Sequence, residues 1–428
     1  MIATAMTLLL VLIGLSIPVG AALGVLGLLL DPLFSMLPLT RAIGELAWSS
    51  NTEFLMVAIP LFILLGEVLL RAGIAERMYG AMILWLSWLP GGLMHANIGA
   101  STLFAATSGS SVATAATVGT VALPQIRRYG YNEPLFLGSI AAGGTLGILI
   151  PPSINLVIYG VLTNSSVPKL YLAGIIPGFA LAALFMLTVI AACVIKPSWG
   201  GKRVTATWGE RIVSLKHLLP PLGIFLMVVG SIYAGLATPT EAAALGVLGA
   251  LALAAFFRRL SLPMLREAVE GTMRSTAMIM LIVVAAGFLN FVMAGIGLTT
   301  ALTDSISGLG LSREWMLLVV VIFYVILGCF METLSMMIVT IPIVTPIMTA
   351  LGYDPIWLGI VIIVLVETAL ITPPVGLNLF VVQSLRKGGS MNAVILGSLP
   401  FVMALFVMIA LLAVFPDLAL WLPRVFGG

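Results

Sequence analysis

Apolar runs longer than the ~20 residues needed to span a bilayer recur from one end of the chain to the other, broken by short stretches of Gly, Pro and charge. The runs are Leu, Ile, Val and Ala without apolar–polar alternation, which predicts helices and not a membrane β-barrel. Starting inside, crossings are predicted at 4–30, 52–70, 134–162, 168–195, 217–234, 237–257, 274–296, 355–385 and 392–415, alternately outward and inward. Two segments fail as crossings. Residues 91–126 begin and end near the inside and carry a polar break, Thr107-Ser108-Gly109-Ser110-Ser111. Each arm is roughly 15 residues, about 22 Å of helix, too short for a ~30 Å hydrocarbon core. A re-entrant hairpin is expected there. A second is expected at 315–348, entering from outside with its tip near Gly328–Ser335. Arg77–Pro90 and the stretch after Thr299 read as amphipathic arms flanking the hairpins.

The chain repeats itself. AALGVLG occurs at 21–27 and again at 243–249, an offset of 222. The same offset carries Ala72-Gly73-Ile74 onto Ala294-Gly295-Ile296, Pro124 onto Pro346, Gly130-Tyr131 onto Gly352-Tyr353, and Pro151-Pro152 onto Pro373-Pro374. Two repeats are therefore expected, 1–222 and 223–428, each holding one hairpin and one broken helix (134–162 and 355–385). Basic residues swap sides between the halves. The turn 125–133 carries Arg127-Arg128 and its mate carries none, whereas the turn 163–168 carries none and its mate holds Arg386-Lys387. Five crossings separate equivalent points, an odd number, so the repeats are expected to be inverted.

Composition narrows the class. Of 428 residues 61% are hydrophobic and only 8% charged, with mean hydropathy +1.22, so the chain lacks the polar surface of a soluble domain. The fold class is an all-α polytopic membrane protein in a lipid bilayer. The net charge of +3 is spread over short loops, which excludes a nucleic-acid reader. Cys193 and Cys329 lie in apolar runs and support neither a disulfide nor a thiolate metal site. Met1–Leu30 has no basic opening and no small-residue cleavage site, so a cleavable targeting segment is not expected.

The chemistry concentrates at the two broken helices. One reads Gly143-Gly144-Thr145 through Pro151-Pro152-Ser153-Ile154-Asn155, the other Glu367-Thr368 through Thr372-Pro373-Pro374-Val375-Gly376-Leu377-Asn378. A Pro pair removes two amide donors and frees upstream carbonyls. At membrane depth, bare carbonyls persist only where protein, water or an ion satisfies them. With Ser, Thr and Asn oxygens they suit Na⁺, and the half-helix after each Pro pair offers amides to an anion. A merely kinked helix, its hydroxyls bonded back to its own backbone, is the plain alternative. Paired breaks in corresponding positions favour a site. Glu332 and Glu367 are acids within apolar runs, where carboxylates are costly and usually functional. Glu67 and Glu241 are expected near interfaces with structural roles, and His95 and His217 are not expected to bind metal or catalyse.

Gly109-Ser110-Ser111-Val112-Ala113-Thr114-Ala115, Ile150-Pro151-Pro152-Ser153, Thr238-Pro239-Thr240-Glu241-Ala242-Ala243 and Thr372-Pro373-Pro374-Val375-Gly376-Leu377-Asn378-Leu379 together resemble the large membrane subunit of the tripartite ATP-independent periplasmic (TRAP) transporters, the DctM-like family. The resemblance covers essentially the whole chain. It implies a bacterial inner-membrane secondary transporter, not an enzyme, taking up an organic acid such as a C4-dicarboxylate or sialic acid by an elevator motion. Na⁺ is the implied coupling ion, with no further cofactor. Two partners are implied: a small four-helix membrane subunit (DctQ-like) and a periplasmic substrate-binding protein (DctP-like). By this resemblance Na⁺ sites fall near Ser110, Ser111 and Asn155, and near Thr333 with Thr372 and Asn378. Ser108, Gly109, Pro151, Pro152, Ser153, Glu332, Pro373, Pro374 and Gly376 are the expected substrate surroundings. A stand-alone divalent-anion:Na⁺ symporter would share hairpins and inverted halves, but typically carries Ser-Asn-Thr tips where this chain has Ser-Gly-Ser-Ser and Met-Glu-Thr. A membrane-embedded hydrolase would need a nucleophile converging with a base, and no acid stands beside Ser110 in the sequence.

Overall fold

The computed structural model describes residues 1–15, 17–307, 310–386 and 388–427. Lys387, part of the charge pattern above, lies outside the described residues, as does the side chain of Thr107. The described residues are helical with no strand among them, and seven helices are long and apolar enough to cross a membrane.

Most expected elements are present within a few residues. The crossings at 52–70, 168–195, 237–257 and 392–415 correspond to Ala58–Arg71, Val167–Ile195, Pro239–Phe256 and Met391–Val414. Two spans are longer than expected, Trp208–Tyr233 and Leu262–Gly295, because each starts in a polar, charged stretch that hydropathy alone would not assign to a crossing. The single crossing expected over 4–30 is instead two helices, Ile2–Gly14 and Val19–Phe34. Pro18, which lacks an amide donor, caps the second of them. Two helices went unforeseen: Ile43–Thr52 and the terminal Asp417–Phe426, which packs on Val167–Ile195.

The two segments expected as hairpins are each a pair of packed helices, Leu93–Ser108 with Ser111–Tyr129 and Arg313–Gly328 with Thr333–Ala350. Their second arms, 19 and 18 residues, are longer than the roughly 15 expected, and Thr333–Ala350 is one of the seven helices long enough to cross. Both broken helices form: Glu133–Thr145 with Ile154–Thr163, and Pro355–Ile371 with Leu377–Ser384. Local conformations recur at the 222-residue spacing. Gly130 and Gly352 both take positive φ after a hairpin, and Asn132 and Asp354 both cap the helix that follows. The Pro151-Pro152 and Pro373-Pro374 bonds are both cis.

The helices sort into two packed groups. In one, Leu262–Gly295 packs against both Val19–Phe34 and Ala58–Arg71, and Ala58–Arg71 packs on Pro239–Phe256. The repeated AALGVLG serves this packing. Gly24 faces Ala285, and a Cβ on Gly27 would come within 2.8 Å of the Phe288 ring. Small residues at such spacing let membrane helices approach closely. In the other group, Glu133–Thr145 packs on Met391–Val414, Ser111–Tyr129 and Leu377–Ser384. Leu93–Ser108 touches both groups.

Candidate functional site

The first hairpin turns at Gly109, whose φ of 59° is a left-handed conformation that favours glycine. A Cβ there would lie 2.9 Å from the Pro152 carbonyl oxygen, so this tip is seated directly on the first broken helix. On its other side a Cβ on Gly66 would lie 2.9 Å from the Ser108 carbonyl oxygen. Ser110 caps the second arm and accepts from the Ala113 amide at 3.4 Å. Thr114 braces the turn: its hydroxyl lies 3.1 Å from that of Ser108 and donates to the Ser110 carbonyl at 2.7 Å.

At the second tip the matching cap is Glu332. Its Oε2 accepts from the Ser335 amide (3.1 Å) and hydroxyl (3.2 Å), and its Oε1 accepts from the Thr333 hydroxyl (2.9 Å). The carboxylate thus sits at the positive end of its own helix.

The two breaks are braced differently. Ser153 ties the first together: it donates to the Ile148 carbonyl at 2.5 Å and caps Ile154–Thr163 by accepting from the Leu156 amide at 3.4 Å. In the second, the Thr372 hydroxyl donates back to the Thr368 carbonyl at 2.6 Å, and Cys329 of the second tip reaches the Pro373 carbonyl at 3.6 Å. Asn378 crosses to the other half and donates to the Ala141 carbonyl at 3.1 Å, while its own carboxamide oxygen is buried without a partner among the described residues.

Between the tips lies a cavity of about 490 Å³. Ser108, Gly109, Ser110, Ser111, Asn155, Glu332 and Thr333, all expected site residues, share its wall. Pro151, Pro152 and Ser153 stand behind that wall, and Thr372, Pro373, Pro374, Gly376 and Asn378 are not on it. The opposite wall comes from the other helix group, through Gly66, Glu67 and Leu70 and through Ser275, Met278 and Ile279.

Glu67 and Ser275 were missed as site residues. Glu67, expected near an interface, faces this cavity and is ion-paired with Arg71 one turn later. Arg71 also reaches Glu267 across the helix pair at 3.4 Å. Gly271 leaves the room: a Cβ there would come 3.0 Å from the Glu67 carboxylate. The available signal was an acid and a base one helical turn apart inside an apolar run. Glu367 is wholly buried, its two oxygens without partners among the described residues, and it is absent from the cavity wall. Glu241 forms a capping box with Thr238, and His95 bonds the Pro90 carbonyl at 2.7 Å. Among the described residues no group of three His, Cys, Asp or Glu could hold a metal ion.

Residues 6–418 match the family described as tripartite ATP-independent periplasmic transporter, DctM component. The chain belongs to that family. It is the large permease subunit of a TRAP transporter, a multi-pass membrane protein of a transporter family and not an enzyme. The C4-dicarboxylate TRAP transporter large permease protein DctM of Pseudomonas aeruginosa is 36% identical over 407 residues, covering 95% of this chain and 94% of that one. The sialic acid TRAP transporter large permease protein SiaM of Vibrio cholerae is 34% identical over 378 residues, 88% of each chain. The crystal structure of the Alcanivorax borkumensis YdaH transporter shares the permease's fold, with TM-score 0.59 at 17% identity over 90% of this chain and 89% of that one.

Proposed function

We propose that this permease is the translocating subunit for Na⁺-coupled uptake of an organic acid, which a periplasmic binding protein delivers and a small four-helix membrane subunit helps admit. The observation that carries the reading is the shared cavity. Both hairpin tips, the first broken helix and Leu377 of the second form one side, and Ala58–Arg71 and Leu262–Gly295 of the other packed group form the second. A site divided between two bodies gains and loses access as one moves past the other, the basis of an elevator cycle with inverted repeats. The recurrence of breaks, caps and turns at a spacing of 222 supports that arrangement. Na⁺ would find hydroxyl, carboxamide and carbonyl oxygens at Ser110, Ser111 and Asn155, and at Thr333 with Thr372 and Asn378.

Driving force follows from charge. One inward Na⁺ gains about 2.3 kcal/mol per 100 mV, so a monoanion needs more than one Na⁺ for electrogenic uptake and a dianion more than two. The test is reconstitution in liposomes with an inward Na⁺ gradient. The isolated permease should transport little, and adding the small subunit and binding protein should restore uptake. Robust uptake by the isolated chain would favour a stand-alone anion:Na⁺ symporter, and uptake indifferent to Na⁺ would overturn the coupling.

A further inference from the structure

The two tips are equivalent in position but not in chemistry. Ser110 and Glu332 are separated by the repeat offset, cap equivalent arms and face the same cavity. At the first tip the cap is a neutral hydroxyl, and the first-turn amides of Ser111–Tyr129 have no partner within their own helix. That end can receive an anion. At the second tip the equivalent place is filled by the chain's own carboxylate, Glu332, held by Ser335 and Thr333. A second acid, Glu67, stands on the opposite wall, and no Lys, Arg or His is on that wall among the described residues. Arg71, the nearest guanidinium to Glu67, is spent on Glu67 and Glu267. Asn155 adds an independent pointer. It is 3% exposed and lines the cavity, its amide nitrogen reaches only the Met337 sulfur at 3.5 Å, and its carboxamide oxygen has no donor among the described residues.

From this asymmetry we infer that the cavity takes an organic acid with a single anionic group, whose remaining polar groups are donors such as hydroxyls or an ammonium, and that Glu332 excludes a second carboxylate. The inference rests on the reading of this cavity as the substrate site. One carboxylate is received at the first tip. A second would lie against Glu332, which has no cation facing it on the cavity wall among the described residues, a like-charge juxtaposition that rejects the wrong ligand. Donor groups instead satisfy Glu332.

The test uses the permease with its small subunit in lipid nanodiscs at saturating Na⁺. Cys193 and Cys329 are replaced by Ala, and Ser275→Cys places a thiol on the cavity wall. Protection of that thiol from a maleimide is measured with 4-aminobutyrate, gluconate and succinate. The first and last are similar in length and differ in one end group. Either donor-bearing monocarboxylate should protect, and succinate should need at least about tenfold more. Glu332→Gln keeps an oxygen for the helix cap, and it should bring succinate to within about twofold of 4-aminobutyrate. Equal protection by succinate and 4-aminobutyrate with Glu332 present overturns the inference without any further variant. A gap that survives Glu332→Gln overturns the role of Glu332. Full labelling in the presence of all three compounds overturns the cavity as the substrate site, a different failure from that of its selectivity.

Discussion

Gly138 and Gly397 meet backbone to backbone: a Cβ on Gly138 would lie 1.9 Å from the Gly397 carbonyl oxygen, and one on Gly397 would lie 1.7 Å from the Pro134 carbonyl oxygen. This contact seats the first broken helix on Met391–Val414, and Arg386 bonds Glu133 at 2.5 Å near the same junction. Gly138→Val should cost about 3 kcal/mol or more by overpacking, read as a lowered melting temperature in detergent. Gly223→Ala is the control. Nothing lies within 4 Å of its added methyl, so the melting temperature should hold or rise.

The ion triad below the cavity yields a second expectation. Arg71→Gln leaves Glu67 and Glu267 without their shared cation. The group is part-exposed, so the loss should be modest, about 1–2 kcal/mol. Glu67→Gln with Arg71→Gln should recover part of it, because position 67 then carries no unpaired charge. A double-mutant cycle on thermal stability measures the coupling. Strict additivity of the two changes would show that the pair is not coupled.

Coupling is tested at the oxygens. Ser110→Ala and Thr372→Val each remove one hydroxyl from a proposed ion site, and each should raise the Na⁺ concentration for half-maximal uptake about three- to tenfold with normal membrane insertion. Thr372 already donates to its own helix, which leaves its lone pairs as the part offered to a cation. Wild-type Na⁺ dependence in both variants would remove these residues from the ion sites.

Arg128 and Ala350 occupy equivalent places, one repeat offset apart and both exposed at the foot of a hairpin. Inverted halves place them on opposite sides of the membrane. Single cysteines there should react with impermeant reagent from the cytoplasm at 128 and from the periplasm at 350. Labelling of both from one side would make the repeats parallel.

Much of the architecture was legible because a bilayer forces it. The polar tips marked where the chain turns, and the Pro pairs marked both breaks. Helix length did not set the hairpin arms apart, because Thr333–Ala350 is as long as a crossing. The break at Pro18 was passed over, since a proline beside a continuing apolar run can as readily kink a membrane helix as end it. Asp417–Phe426 was missed because its apolar face is too short for a crossing, although it packs through Ala419, Leu420 and Pro423. At the site, the first tip was readable because five consecutive small polar or glycine residues, 107–111, interrupt an apolar run. Glu67 was not, because its importance depends on Arg71, Glu267 and the space above Gly271, a coincidence of two helices nearly 200 residues apart. Glu332 was recognised as costly, but only the structure shows it capping its own helix.

The meeting of Gly66 with the Ser108 carbonyl has a mechanical consequence. Where side chains interdigitate, helices are held in register like meshed gears, and one slides past the other only by unmeshing. At this point the first tip rests on bare helix, so the surface resembles a plain bearing, with little to disengage at each stroke. A methyl at 66 would set a tooth against the tip's backbone. In the proposed cycle it would act as a brake, arresting travel.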